Sequence, residues 1–498
     1  MEHFDNTICA PTTAPGGAMA VIRISGLHAI RCVDRIFRGR TSLAEAQGYS
    51  MHFGSVIEAD GSLLDEVVVS VFRAPRSYTG ENTVEIACHG SEYIVSRILA
   101  LLLQNGAKMA APGEFTQRAF LHGKMDLSQA EAVADLIAAQ TAAAHRIALK
   151  QLKGGFSREL AGMRSELLNL ASLMELELDF SEEEVEFADR SQLRELIGKV
   201  LAHCEKLIES FRLGNSIKNG VPVVIAGNTN SGKSTLLNAL LGENRAIVSD
   251  IAGTTRDTIE ETCNLDGVLF RFIDTAGLRE SEDTIERIGV ERAYEKISAA
   301  QLILAVLDLT QPVEEMLASA SDIAARAADG QQLVFLLNKA DAVPVPVSTE
   351  ARRALNPVFS PAGRQVYTIS AKDGIGLEDL RHALAATWRN LDTASETSLV
   401  TNARHLEALQ NAATALRRVQ EGLGPVPVPH SAIPTGTDAA ISAPVPTDAP
   451  LSAAAVAIPT DLLAQDLREA LYHLGSITGE VSSDEILGNI FKNFSIGK

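Results

Sequence analysis

The stretch "NSIKNGVPVVIAGNTNSGKST", residues 215–235, decides how its surroundings fold. Val221 to Ala226 is an apolar run of strand length, the pattern of a strand buried on both faces of a parallel sheet. It ends at "GNTNSGKS", Gly227 to Ser234, which fits G-x-x-x-x-G-K-[ST], and "TLLNALLG" then opens a helix. Strand, glycine-containing loop and helix form the setting a phosphate-binding loop requires. Backbone N–H groups of Asn230, Ser231, Gly232, Lys233, Ser234 and Thr235 are expected to wrap the phosphates, with Lys233 bridging the terminal ones. The Ser234 hydroxyl is expected to bind Mg²⁺.

Working downstream to about Leu391, "LFRFIDTAG", "LILAVLDL", "QLVFLLNKAD" and "QVYTISAK" are apolar runs that each end in a polar loop. Strands of a doubly wound sheet end this way, with the ligand at their carboxyl ends. "NKAD", Asn338, Lys339, Ala340 and Asp341, supplies a carboxylate that accepts from guanine's ring N–H and exocyclic amine. Adenine offers no such pair of donors, and a carboxylate left unpaired is penalised, so the motif selects guanine. "SAK", Ser370, Ala371 and Lys372, closes over the base from the next strand. "SDIAGTTRD" contains the switch, Ser249, Asp250, Ile251, Ala252, Gly253, Thr254 and Thr255, with Thr255 reaching Mg²⁺ when a terminal phosphate is present. "DTAG", Asp274, Thr275, Ala276 and Gly277, places Asp274 as a partner of Mg²⁺, directly or through a ligand of the ion, and senses the γ-phosphate through the Gly277 N–H. Together these motifs specify a site for GTP.

The next residue, Leu278, raises a difficulty. Many nucleotide hydrolases place there a glutamine that orients the attacking water. Leu278 can neither donate nor accept a hydrogen bond, so another group must do that work or the nucleotide is not hydrolysed. An arginine finger in cis, Arg256 or Arg279, is one candidate.

The rest of the chain bounds the function. Its 498 residues suggest about three domains at roughly 150 residues each. A net charge of −19 gives no broad basic face for nucleic acid, so RNA contact needs a local basic patch or a basic partner. Five scattered cysteines, Cys9, Cys32, Cys88, Cys204 and Cys263, form no C-x-x-C pair and read as buried, reduced thiols. The opening "MEHFDNTICAPTTAPGG" has neither a basic leader nor an apolar h-region, and no stretch approaches a membrane span. A cytoplasmic protein without membrane association is expected.

Short β-like runs fill the first part, "AVIRISG", "EVVVSVF" and "TVEIACHG", with a helix from Glu92 to about Gln104. From Asp126 the periodicity turns helical, with Ser128 and Glu131 in capping-box spacing and a stop at Gly154-Gly155. Further helices are expected at Phe156 to about Leu178, Gln192 to Leu213, Asn402–Gly422 and Thr460–Leu474. The boundaries read from this are an N-terminal domain 1–124, a helical domain 125–218 and 393–498, and a GTPase domain 219–392 inserted in it. Residues 424–460, rich in Pro and Ala, read as a flexible excursion.

At this point the chain resembles the family of tRNA modification GTPases called MnmE or TrmE. The likeness lies in "AVIRISG", "SYTGENTVEIACHG", "APGEFTQRAFLHGKMDLSQAEAVADLI", "AGTTRD", "DTAGLRE" and the final "IFKNFSIGK". It implies a multidomain α/β and α fold: a folate-binding-like α+β N-terminal domain, a helical domain, and a P-loop doubly wound α/β GTPase domain inserted in it. It also implies that K⁺ replaces the missing glutamine, held by Asn230, Ser249, Ile251 through its carbonyl, and Thr254, when two GTPase domains meet. Glu286 would orient or activate the water beside the catalytic Lys233. On the residues alone, Glu286 reads rather as an exposed partner of Arg287 or Arg292, and Asn230 as a residue that only shapes the turn.

The resemblance assigns a formyl or methylene tetrahydrofolate to Arg23, Glu85, Lys124 and Lys498. It implies a homodimer through the N-terminal domains, and a heterotetramer with a flavin-dependent MnmG (GidA) type protein acting on carbon 5 of the wobble uridine of certain tRNAs. The family ends in Cys-(Ile/Leu/Val)-Gly-Lys, whereas this chain has Ser495-Ile496-Gly497-Lys498. A serine hydroxyl is a poor nucleophile without a base, so thiolate chemistry at that position is in doubt here. Two other functions fit the motifs: a regulatory GTPase switch without a modification role, and a folate-dependent one-carbon transferase whose GTPase serves only assembly.

Overall fold

The computed structural model describes residues 6–179, 190–242, 260–273, 297–298, 300–328, 330–359, 364–389, 398–423 and 460–481, with Leu487, Ile490, Phe491, Phe494 and Gly497. The switch 249–255, the loop 274–278, Arg256, Arg279, Glu286, Arg287, Arg292, the segment 424–459, Ser495, Ile496 and Lys498 lie outside the described residues. The fold is multidomain, mixed α/β and α. It divides into two compact units, one of residues 1–153, 213–397 and 482–498, the other of 154–212 and 398–481.

The first unit contains two sheets. The seven strands of one are β1 (Ile8–Pro11), β2 (Met19–Ser25), β3 (Phe37–Gly39), β4 (Ser50–Ile57), β5 (Leu63–Phe72), β6 (Thr83–His89) and β7 (Lys108–Met109), in spatial order β3-β4-β5-β6-β2-β1-β7. Period-two alternation sends Val67, Val69 and Val71 of β5 and Val84 and Ile86 of β6 inward. They meet Val33 and Ile36 of α1 (Ala29–Ile36) and Ile98 and Leu102 of α2 (Glu92–Gln104) in one core. α3 (Glu114–Leu121) follows.

The single helical pattern expected from Asp126 to Gly154 is two helices, α4 (Leu127–Ala138) and α5 (Ala142–Leu152). Asp126, not Ser128, caps α4, in a capping box completed by Gln129, while Ser128 and Glu131 are buried. Thr141 accepts from the Ala144 N–H and starts α5. A second competent N-cap therefore breaks an apolar periodicity that runs across both helices. Near the chain's other end, Phe491 and Phe494 pack with Leu127 and Ala130. Gly113 (φ +70) admits them, since a Cβ there would lie 2.7 Å from the Phe491 carbonyl oxygen.

The second sheet comprises β8 (Val221–Ala226), β9 (Glu261–Leu265), β10 (Val268–Phe272), β11 (Leu302–Asp308), β12 (Gln332–Asn338) and β13 (Gln365–Thr368), in order β13-β12-β11-β8-β10-β9. Five strands run parallel and β9 runs antiparallel to β10. The hairpin is closed by Asp266 (φ +49) and Gly267 (φ +89), the two left-handed positions of a two-residue turn. α8 (Lys233–Leu241), α9 (Val313–Arg326), α10 (Val345–Ala354), α11 (Asn356–Phe359) and α12 (Leu377–Arg389) complete the region. Every residue of β11 is buried, as a central parallel strand requires.

The second unit is helical: α6 (Gly155–Asp179), α7 (Arg190–Asn219) as far as Arg212, α13 (Ala403–Gly422) and α14 (Thr460–Thr478). Leu160, Leu167, Ile197, Cys204, Leu409, Leu416, Leu467 and Leu474 share its core. Arg164 pairs with Glu480, and Gly475 leaves the slot for its guanidinium: a Cβ there would lie 3.2 Å from the Arg164 Cζ. All five cysteines of the chain are buried. Burial pushes the Cys9, Cys88 and Cys263 thiols up to about 11, that of Cys204 to about 12, and raises that of Cys32.

Candidate functional site: a guanine-nucleotide cradle

The loop after β8 lies where the sheet order reverses, with β11 on one side and β10 on the other, the place where open α/β sheets bind ligands. Two glycines let it fold. A Cβ at Gly227 (φ +150) would collide with the Val306 carbonyl oxygen, and one at Gly232 (φ +97) with the Asn338 Nδ2. Asn230 takes the left-handed conformation at φ +60 and is exposed. Lys233 opens α8 and its Nζ donates to the Gly227 and Asn228 carbonyls at 3.0 and 2.8 Å. Burial lowers its pKa, so an anion bound there gains a desolvated cation and free helix N–H groups. Ser234 and Thr235 occupy the first turn of α8.

Asn338 ties the base-binding loops together. It is buried, donates from Nδ2 to the Ser231 carbonyl at 2.8 Å, and accepts the Ala371 N–H at 3.0 Å. One amide thus joins the phosphate loop to the loop of Ser370, Ala371 and Lys372. The Asp341 carboxylate accepts from the Ser370 hydroxyl at 2.6 Å. That bond holds its pKa below the ordinary value against the opposing effect of desolvation, with lesser help from its own backbone N–H and from the Lys372 and Lys339 charges. The carboxylate of the NKAD motif is therefore favoured in its charged form and tied to the Ser370 hydroxyl.

Asp308, at the end of β11, is a buried carboxylate beside the cradle that sequence reasoning missed. It is 5% exposed and accepts from Lys339 Nζ at 2.7 Å, the Thr310 N–H at 2.9 Å and the Thr310 hydroxyl at 2.7 Å. Burial raises its pKa, but the bonds from Lys339 and Thr310 outweigh it and the net shift is downward. Lys339 itself is left-handed at φ +64. The available signal was the polar residue closing the run "LILAVLDL", whose charge needs a partner if the strand is buried.

The N-terminal sheet holds a second cluster. Arg23 and Glu85 face each other across β2 and β6, and Arg23 Nε donates to Glu85 Oε1 at 2.9 Å. The Arg23 guanidinium stands 5.2 Å from the Tyr78 ring centre and 5.7 Å from that of Phe115. Lys124 Nζ donates to the Pro75 carbonyl at 3.0 Å. Gly497 (φ +97) packs so closely on β1 that a Cβ would meet the Pro11 carbonyl. Beneath the cluster, fully buried Arg118 donates to Glu81 at 3.1 Å, Glu114 at 2.8 Å and the Asn6 carbonyl at 2.8 Å. Glu81 also accepts from Ser25 at 2.8 Å. This pillar, which fixes the loop carrying Tyr78, carried no motif to announce it.

The structure thus brings together Asn230, Ser231, Gly232, Lys233, Ser234, Asn338, Lys339, Asp341, Ser370 and Ala371 around one cradle, and Arg23 with Glu85 in another cluster.

Residues 7–124 match the family described as GTP-binding protein TrmE N-terminus, and residues 127–431 match the MnmE helical domain. A tRNA modification GTPase MnmE from Parabacteroides distasonis is 47% identical over 99% of this chain and 100% of its own length. One from Bacteroides fragilis is 47% identical over 99% of each. Among solved structures, a GTP-binding protein from Sulfolobus solfataricus in complex with GDP aligns at a TM-score of 0.26 and 19% identity, over 47% of this chain and 67% of that one. With both domain matches and full-length relatives sharing nearly half its residues, a GTP-hydrolysing enzyme is built around this cradle, and the chain belongs to the tRNA modification GTPase MnmE family.

Proposed function

We propose that this chain spends GTP in modifying carbon 5 of the wobble uridine of certain tRNAs, adding an aminomethyl or carboxymethylaminomethyl group. It acts in the cytoplasm as a homodimer within a heterotetramer that includes a flavin-dependent MnmG (GidA) type protein. The observation that supports this reading best is the presence, in one compact unit, of a guanine cradle and of the Arg23–Glu85 cluster. A formyl or methylene tetrahydrofolate, when bound, supplies the one-carbon unit, and glycine or ammonium the nitrogen.

The residues of the cluster suit a folate. Glu85 Oε1 is taken by Arg23, while Oε2 has no partner among the described residues and the side chain is 28% exposed. That oxygen can accept a pterin N–H. Tyr78, partly buried, offers a ring, and Arg23, Lys124 and Lys498 offer cations for the folate carboxylates.

In the cradle, Lys233 and the loop N–H groups hold the phosphates, and Ser234 and Thr255 hold Mg²⁺. Asn230, Ser249, Ile251 and Thr254 hold K⁺, which supplies the positive charge that an arginine finger supplies elsewhere. Such a finger is worth about 10³–10⁵ in rate, or about 4–7 kcal/mol at ~1.4 per decade. Glu286 orients the attacking water in place of the absent glutamine. GTP turnover drives closing and opening of paired GTPase domains rather than the carbon chemistry.

The test is GTP turnover in potassium against sodium buffer at several protein concentrations. Turnover should be fast in potassium and rise per molecule with concentration. Equal rates in both salts would remove the potassium assignment. The modification itself is read from tRNA nucleosides of a strain lacking the gene, complemented with this chain or with Lys233→Ala. Full modification with Lys233→Ala would separate the carbon chemistry from GTP.

A further inference from the structure

In a chain of net charge −19, the stretch from residue 6 to residue 44 carries five arginines and a single carboxylate, Asp34. Arg23 is committed to Glu85. The other four, Arg31, Arg35, Arg38 and Arg40, are exposed and have no carboxylate partner among the described residues. Arg31 lies in the first turn of α1 and Arg35 in its last, Arg38 lies on β3, which follows directly at Phe37, and Arg40 lies in the bend just after β3.

The local geometry gathers them. Arg31 and Arg35 are four apart on α1, so they share one helix face. Arg38 NH1 donates to the Phe37 carbonyl at 2.9 Å and to the Arg35 carbonyl at 3.4 Å, which turns its guanidinium back onto the last turn of α1. Arg40, exposed in the bend just after β3, lies two residues on. Asp34, the one nearby carboxylate on the helix, is occupied: it accepts from the Ser42 hydroxyl at 2.9 Å and the Leu43 N–H at 2.6 Å. Glu45 is exposed beyond that loop. β3 is the edge of its sheet, and charge on an edge strand deters strand pairing. That role accounts for Arg38 but not for Arg31 and Arg35 on the helix or for Arg40 beyond the strand.

We propose that Arg31, Arg35, Arg38 and Arg40 form a docking strip for the phosphate backbone of the tRNA. Guanidinium groups bind phosphate in pairs of parallel hydrogen bonds, and a polyanion approaching an acidic protein needs such a local landing place. The strip carries no base-reading group, so it contributes position and affinity rather than choice of tRNA. This inference rests on the tRNA reading above, and the experiment separates the two.

Binding of labelled tRNA to the full-length chain is measured across a salt series, for wild type, for R31A/R35A/R38A/R40A and for R31K/R35K/R38K/R40K. Each phosphate contact removed should make the slope of log affinity against log salt shallower by about 1, so the alanine variant loses about 3–4 of slope and binds more weakly at every salt. The lysine variant keeps most of the slope. GTP turnover, read on the same samples, stays at the wild-type rate and certifies folding. In complemented cells, wild type restores the modified nucleoside and the alanine variant restores less. An alanine variant with the wild-type slope overturns the strip even if wild type restores the nucleoside. Failure of wild type to restore the nucleoside overturns the modification reading, and the salt series then decides the strip alone. A normal slope with a lost nucleoside assigns the arginines to a partner other than RNA and also overturns the strip.

Discussion

Lys339 reaches back across the carboxyl ends of two adjacent parallel strands to place its ammonium 2.7 Å from Asp308 Oδ2. The lysine of the NKAD motif is therefore held by a carboxylate on the neighbouring strand. Asp308→Asn keeps the shape and removes the charge. Hydrogen bonds to charged groups are worth about 1.5–3 kcal/mol, and partial transmission to the loop should raise the Kd for GTP at least about tenfold (~1.4 kcal/mol). Titration with a fluorescent GTP analogue reads this directly. An unchanged Kd would show that Lys339 is positioned without Asp308.

Asp341 makes a prediction about pH. Its carboxyl is held low first by the Ser370 hydroxyl, then by nearby Lys372 and Lys339. A group depressed in the folded protein contributes above its unfolded pKa and loses that contribution as pH falls through the folded value. Protonation of the nucleotide's own terminal phosphate is common to wild type and Ser370→Ala, so the ratio of their GTP affinities isolates Asp341 and should stay level from neutral pH until the acid range at ~4 is approached. In Ser370→Ala the fall should begin at higher pH. Coincident pH profiles for the two proteins would mean that the hydroxyl does not tune the carboxylate.

The same carboxylate predicts a change of base. Asp341→Asn replaces an acceptor pair by an amide that also donates, which suits xanthine's C2 carbonyl better than guanine's amine. Affinity for GTP should fall about 10²-fold or more, as expected when a buried polar pairing is mismatched, and XTP should become the preferred ligand. Competition between the two nucleotides measures the switch.

Arg118 holds Glu81 and Glu114 with no exposure of its own. Arg118→Leu leaves two carboxylates facing each other under the Tyr78 loop, and breaking a buried pair this way costs about 3–5 kcal/mol. Thermal unfolding should move down by several degrees. A variant unfolding within a degree of wild type would mean that the carboxylates find other donors.

Gly475→Ala should be disproportionately harmful for a helix interior, where alanine ordinarily helps by about 1 kcal/mol. The added methyl would press on the Arg164 guanidinium at 3.2 Å, so the Arg164–Glu480 pair must shift. Denaturant midpoints compare the two proteins, and a stabilised variant would refute the slot.

The elements most legible in sequence were those whose signals are local. The apolar run Val221–Ala226 and its glycine loop announced β8 and α8, and α2 falls on Glu92–Gln104 as its periodicity predicts. The guanine motifs were legible because each chemistry sits within a few consecutive residues. β9 was passed over although "LDG" carries the Asp-Gly hairpin signal, because attention to parallel strands hid an antiparallel edge. Asp308 and Arg118 escaped for a different reason. Their meaning lies in partners 31 and 37 residues away in sequence, and no window along the chain contains both ends of such a bond. The break between α4 and α5 was illegible to periodicity, since α4 stops at Ala138 and Thr141 starts α5 without disturbing the apolar spacing.

Five thiols sealed in hydrophobic surroundings, with acidities pushed toward 11 or 12 in four of them, leave a neutral maleimide nothing to attack. A cysteine introduced at Val345, which is 78% exposed, would then take up dye or spin label without background. Distances between labels on two such molecules could be followed through a turnover cycle in the otherwise native chain.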